Sequence, residues 1–161
     1  MPNYTETQMR QAIEGEVIAA TTVAAVQLAI VFPWWALGGD ENQWPAKLIS
    51  PNDGNKVHGY VITRKRTFGK RINPGCVRRF FTFQIRGLRW YDETGTRTAN
   101  SDFAYNAELD AIAARFNTKS NLPDSIRRIA EDSELDFSVD LNLYGGQLLH
   151  RSVGEITIEQ C

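Results

Sequence analysis

His58 and His150 are the only histidines in the chain, and neither stands near a nucleophile motif or within metal-ligand spacing of other donors. A general base must reach the hydroxyl or thiol it deprotonates, so an isolated strand histidine is read as a surface or half-buried position. Cys76 lies in a Pro-Gly loop and Cys161 ends the chain; they form neither a disulfide framework nor a zinc set, and a reducing compartment is the simpler expectation. No Gly-x-Ser-x-Gly, Gly-Lys-Ser/Thr or His-Glu-x-x-His motif occurs. Asp136 and Asp140 could act as a carboxylate pair on one strand face, but alternating acids on the wet face of a strand are ordinary. Gly38-Gly39-Asp40 lacks the preceding strand and following helix that a nucleotide loop needs. The chain therefore reads as a non-enzyme, and no cofactor or metal motif of these kinds is present in its sequence.

The chemistry that does stand out is polyelectrolyte chemistry. Between Gly54 and Tyr91 there is no Asp or Glu, and there are ten basic residues: Lys56, Arg64, Lys65, Arg66, Lys70, Arg71, Arg78, Arg79, Arg86 and Arg89. The rest of the chain carries the other 8 Lys/Arg and all 19 Asp/Glu, so a net charge of −1 divides into +10 and −11. Such a layout suits either a polyanion or the acidic part of another copy of the same chain. Phe68, Phe80 and Trp90 interleave with the basic residues, as a single-strand or RNA surface would require, though no nucleic-acid module is matched. A solvated basic hairpin is the plainer reading.

The elements that position these charges follow from periodicity. At 161 residues, with 42% hydrophobic and 23% charged residues, the chain suffices for a single domain, 1–161, with its own core. Thr5 and Gln8 have capping-box spacing, and Met9, Ile13, Val17 and Ala20 share a face, predicting a helix to about Ala29. The run Val17 to Phe32 is apolar except for Thr21, Thr22 and Gln27, but it is only 16 residues long before Pro33 and is flanked by Glu14 and Glu16; a buried helix is expected rather than a membrane span. Residues 32–51 are irregular and hold Trp34, Trp35 and Trp44, which either pack on the domain or serve a partner.

Strands are expected at Val57–Arg66 and Arg78–Tyr91, with Gly87 marking a bulge and a long basic hairpin arm or loop, Thr67–Val77, between them. A helix capped by Ser101 or Asp102 follows, with Tyr105, Leu109, Ile112, Ala113 and Phe116 as its stripe, then a short helix from Pro123 with Ile126, Ile129 and Ala130 inward. Leu135, Phe137, Val139, Leu141 and Leu143 alternate as a strand, Gly145-Gly146 turns, and a returning strand carries Ile156 and Ile158 inward. The expectation is an α+β fold: a mainly antiparallel sheet with the N-terminal and central helices on one face and a long basic hairpin arm.

The order and texture of Val31-Phe32-Pro33-Trp34-Trp35, Trp44-Pro45, Tyr60-Val61-Ile62-Thr63-Arg64, Phe81-Thr82-Phe83-Gln84-Ile85-Arg86-Gly87, the helix at Asn106–Ile112 and the final strand Leu149–Ile158 resemble the tail terminator, or tail-completion, proteins of long-tailed bacteriophages. The resemblance implies a structural virion protein, assembled in the host cytoplasm, that forms a ring, typically a hexamer, on the head-proximal end of the tail tube. The partners that the resemblance implies are the chain itself, the tail tube protein, the sheath protein and a head-side neck or connector protein, with DNA in the channel as a further candidate and no membrane. On this reading Arg64, Lys65, Arg66, Lys70, Arg71, Arg78 and Arg79, with Trp34 and Trp35, meet a neighbour's acidic surface around Glu108, Asp110, Glu131, Asp132 and Glu134, or line the channel. A nucleic-acid-binding accessory protein and a head-side connector are the alternatives.

Overall fold

The computed structural model describes residues 5–20, 41–50, 54–73, 76–92, 101–117, 127–128 and 134–160, with only the backbone described for residues 50, 66–73, 76–78, 127–128 and 160. Its architecture is α+β, with α1 at Glu6–Ala20, α2 at Trp44–Lys47, β1 at Ile49–Ser50, β2 at Lys56–Asn73 and β3 at Cys76–Trp90. It continues with α3 at Ser101–Asn117, β4 at Arg127–Arg128, β5 at Phe137–Tyr144 and β6 at Gln147–Gln160. The strands form one sheet in the order β1-β2-β3-β6, and β4 and β5 both pair with the far side of β6; every pairing is antiparallel.

Local chemistry accounts for the ends of these elements. Thr5 N–H donates to Gln8 Oε1 at 2.8 Å and Gln8 N–H to Thr5 Oγ1 at 3.2 Å, so the capping box satisfies two donors that α1 would otherwise orphan. Gly145 and Gly146 take φ of 59° and 85°, the left-handed pair that a two-residue hairpin turn needs.

The helices α1 and α3 lie on one face of the sheet. Met9, Ile13 and Val17 from α1 and Tyr105, Leu109, Ile112 and Phe116 from α3 pack on Tyr60, Ile62, Phe83, Ile85, Ile156 and Ile158. Each such side chain contributes roughly 1.5–3 kcal/mol relative to exposure. The opposite face has a second core, which the sequence did not announce. There Trp44, delivered by α2, packs with Leu48, Val57, Val61, Leu88, Tyr144 and Leu149.

That second core explains several departures from expectation. Leu88 belongs to it, so the apolar residues of β3 are split between two buried faces and no bulge is required at Gly87. Register runs unbroken through Gly87 to Tyr60 on one side and Ser152 on the other. The irregularities lie instead in β2, between Arg64 and Arg66 and between Arg71 and Asn73. The hairpin of β2 and β3 stays paired out to Asn73 and Cys76, so the expected loop is mostly ladder. Arg127 and Arg128 pair with Glu159 and Ile158 as strand, where a helix was expected; the rest of that expected helix, and α1 beyond Ala20, lie outside the described residues. Among the described residues no helix is long and apolar enough to cross a membrane.

Candidate functional site

Beneath α3, the sheet face that holds the main core also carries a polar layer. His58 is 1% exposed on β2, and its Nε2–H reaches Glu108 Oε1 at 2.9 Å and Oε2 at 2.8 Å. The Tyr60 hydroxyl donates to Glu108 Oε2 at 2.7 Å, and Arg89 Nη1 lies 3.9 Å from the same oxygen. A buried carboxylate is tolerable only with such partners. Burial, reinforced by Tyr105 and Glu108, holds the Tyr60 phenol well above its ordinary value, so it remains a donor.

The layer continues along α3. Tyr105 shares a 2.6 Å hydrogen bond with Ser152, and Ser101 Oγ lies 2.8 Å from His150 Nε2. Ser101 Oγ also accepts the Asp92 N–H at 2.7 Å and lies 3.2 Å from the Asp92 carbonyl. Ser101 is only 4% exposed, and its hydroxyl is held on three sides, which is the geometry of a clamp on the first turn of α3. Burial lowers the affinity of His150 for a proton, with Asp102 opposing and Arg89 adding to the effect. Gly87 makes room for the layer. A Cβ there would collide with the Tyr105 hydroxyl and sit 2.6 Å from Ser152 Oγ and 2.7 Å from Tyr60 Cε1.

These findings correct two sequence expectations. Glu108 is not part of an acidic outer surface: it follows Tyr105 by three residues and precedes Ile112 by four, on the stripe that α3 buries. Neither histidine is at the surface, since His150, like His58, is 1% exposed. The signal available in the sequence was position 108 on that stripe, together with polar residues at inward positions of three neighbouring strands.

The opposite face holds a smaller polar group. Arg151 Nε donates to Glu41 Oε1 at 2.7 Å, and the Tyr144 hydroxyl donates to the same oxygen at 3.3 Å. The Arg86 guanidinium stacks 4.5 Å from the Trp44 ring centroid. Trp44 is 1% exposed, so this tryptophan belongs to its own domain's core. Trp34 and Trp35 lie outside the described residues. Among the described residues no cluster of His, Cys, Asp and Glu has the composition of a metal site.

The basic residues expected to act outward are distributed along β2 and β3. Arg64, Lys65 and Arg79 are exposed. Arg64 Nη1 lies 3.0 Å from Glu6 Oε2, and Lys65 pairs with Glu155; both pairs are solvent-exposed and worth about 0–1 kcal/mol each. The side chains of Arg66, Lys70, Arg71 and Arg78 lie outside the described set, but their backbones continue the same ladder. The ribbon also outruns the sheet: β6 ends opposite Arg79, whereas β2 and β3 stay paired to Asn73 and Cys76.

On the acidic side, Asp110 is exposed on α3, Glu134 is exposed just before β5, and Glu131 and Asp132 lie outside the described residues. Glu134, Asp136 and Asp140 are all exposed on or beside β5, in a segment, 134–144, that has no Lys or Arg. Thus β2 and β5, at opposite margins of the sheet, carry opposite charge. No protein-family model and no curated protein matches the chain, which leaves its own charge and geometry to indicate what it does.

Proposed function

We propose that this chain is a non-enzymatic structural subunit of a bacteriophage tail or neck, forming a head-to-tail ring that caps the tail tube and joins tail to head. One observation carries the reading: the sheet is basic along β2 and acidic along β5, its two opposite margins. A patch that complements a different patch on an identical molecule makes a heterologous contact, and such contacts close into rings or run on as filaments. Attraction between the margins steers the encounter, and buried apolar surface supplies most of the affinity. The polar layer beneath α3 has a positional role on this reading, locking the helix to the sheet. The placement in a phage tail rests on the resemblance of segment order and texture, and the partners it implies are the tail tube protein and a head-side neck protein.

The test is charge reversal. Arg64, Arg66, Arg78 and Arg79 are changed together to Glu. Circular dichroism is expected to show an intact fold, and electron microscopy of tail lysates is expected to show uncapped tails of irregular length. Capped tails of normal length from this variant would refute the reading. Tight, steeply salt-dependent binding of DNA by a monomeric wild-type chain would favour a nucleic-acid-binding role instead.

A further inference from the structure

Among the described residues, the margins of the sheet are also open edges. On β2, β1 covers only Lys56 and Val57, and His58 N–H reaches the Leu48 carbonyl at 2.9 Å; from Gly59 onward no described strand pairs with that side. Backbone direction alternates along a strand, so after His58 the groups of Tyr60, Ile62 and Arg64 face outward until the register shift at Lys65. On β5 the two-residue turn makes Tyr144 and Gln147 the closing hydrogen-bonded pair. Asn142 and Asp140 therefore face β6, and the N–H groups of Leu143, Leu141 and Val139 face outward, where no described strand meets them.

The side chains of β5 are unusual for an edge. Val139, Leu141 and Leu143 are 38%, 47% and 68% exposed. They continue the face on which Leu135 is buried and Phe137 packs against the main core, but the core ends before them. Soluble proteins guard such edges with lysine, proline or bulges. β5 has none of these, whereas β2 has both a bulge and Lys65.

Strand direction decides what fits. β2, β3, β6 and β5 alternate in direction, so β5 runs opposite to β2. Place a second copy beside the first in the same orientation, and β5 of one lies antiparallel to β2 of the next with the helix faces on the same side. The three carboxylates of 134–144 then face a strand that carries Arg64 and Lys65 and no acid. We infer that the β5 edge of one copy adds to the β2 edge of the next between Gly59 and Arg64, making one antiparallel sheet across subunits, with Val139, Leu141 and Leu143 covered along the junction. This rests on the proposed head-to-tail ring and specifies its contact. The bulge at Lys65 limits the pairing to that stretch, and the charges reject β2–β2 and β5–β5 pairing.

The experiment uses two blocked variants of the full chain and sedimentation velocity. Leu141→Pro removes an outward N–H while leaving the ladder to β6 intact; Val139→Pro, whose N–H faces the same way, replaces it if circular dichroism shows Leu141→Pro unfolded. Arg64→Glu with Lys65→Glu reverses the other edge. Wild-type protein is expected to self-associate as it is concentrated, each variant alone to stay monomeric, and their equimolar mixture to give one-to-one dimers and nothing larger. A wild-type chain that is monomeric at every concentration, a blocked variant that associates on its own, or a mixture that stays monomeric overturns the inference. If wild type and both variants all cap tails, the ring survives and the edge pairing falls. If wild type associates through these edges but has no affinity for tail ends, the pairing survives and the tail reading falls.

Discussion

Tyr60 donates its hydroxyl to Glu108 Oε2 at 2.7 Å, tying the strand with the open edge to the middle of α3. The carboxylate also accepts from His58 and lies beside Arg89, so it joins two inward-facing hydrogen-bond donors and a nearby cation. Glu108→Ala should destabilise the fold by about 3 kcal/mol, because buried His58 and Tyr60 lose their acceptor and Arg89 loses its nearby counter-charge. Glu108→Gln keeps the shape and one acceptor, and should cost roughly half as much. Urea denaturation of both variants measures this; a loss below about 0.5 kcal/mol for Glu108→Ala would mean that the layer is not holding α3.

Gly87 and Gly15 sit in opposite surroundings, which predicts opposite signs. Gly87→Ala should destabilise by about 2 kcal/mol or more, since the added methyl meets Ser152, Tyr60 and Tyr105, all buried and hydrogen-bonded. Gly15→Ala lies on the exposed side of α1 with open space around it, and should stabilise by roughly 0.5–1 kcal/mol through helix propensity. Thermal melts of the two variants should therefore shift in opposite directions, and a neutral Gly87→Ala would contradict the packing described.

His150 gives the fold a pH dependence with a definite sign. Its folded-state value lies below the ordinary 6.5, chiefly through burial, so folding favours the neutral ring. The unfolded chain then binds the proton more readily, and stability is complete above about pH 6.5 and declines as pH falls through it. Asp102 moderates the effect and Arg89 strengthens it. Melting temperatures measured from about pH 8 to about pH 5 should fall, and the fall should be shallower in His150→Asn. An unchanged slope in the variant would assign the dependence to other groups.

What could be read from the sequence was the part governed by local rules. Thr5 and Gln8 cap as their spacing demands, Gly145-Gly146 turns, and Tyr105, Leu109, Ile112 and Phe116 form the buried stripe of α3. What escaped depends on groups distant in sequence. Glu108 is buried because His58 and Tyr60, some fifty positions earlier, supply its hydrogen bonds; by itself it resembles a surface acid. Leu88 appears out of phase until Trp44 and Leu149 provide a second core beneath it. Val139, Leu141 and Leu143 alternate like buried residues, yet they lie beyond the reach of the helices that cover the sheet. Alternation identifies a strand face but not what covers it, and here that distinction separates core from contact surface.

Glu41 ties the short turn before Trp44 to β6 and to the β5–β6 hairpin, through Arg151 and Tyr144. Burial, with the Glu41 charge adding to it, raises the Tyr144 phenol to about 12, whereas the Glu41 hydrogen bond raises the Arg151 guanidinium. Glu41→Gln removes the charge but keeps an acceptor, so Tyr144 should ionise at lower pH while remaining packed beside Leu149. Ring-resonance titration by NMR isolates Tyr144 from Tyr60 and Tyr105, which burial also raises. The expected result is a shift of Tyr144 towards 10, with Tyr60 and Tyr105 unmoved because they lie on the opposite face of the sheet. If Tyr144 kept its titration point after loss of the Glu41 charge, burial alone would set it, and Glu41 would serve as a fastener for Arg151 only.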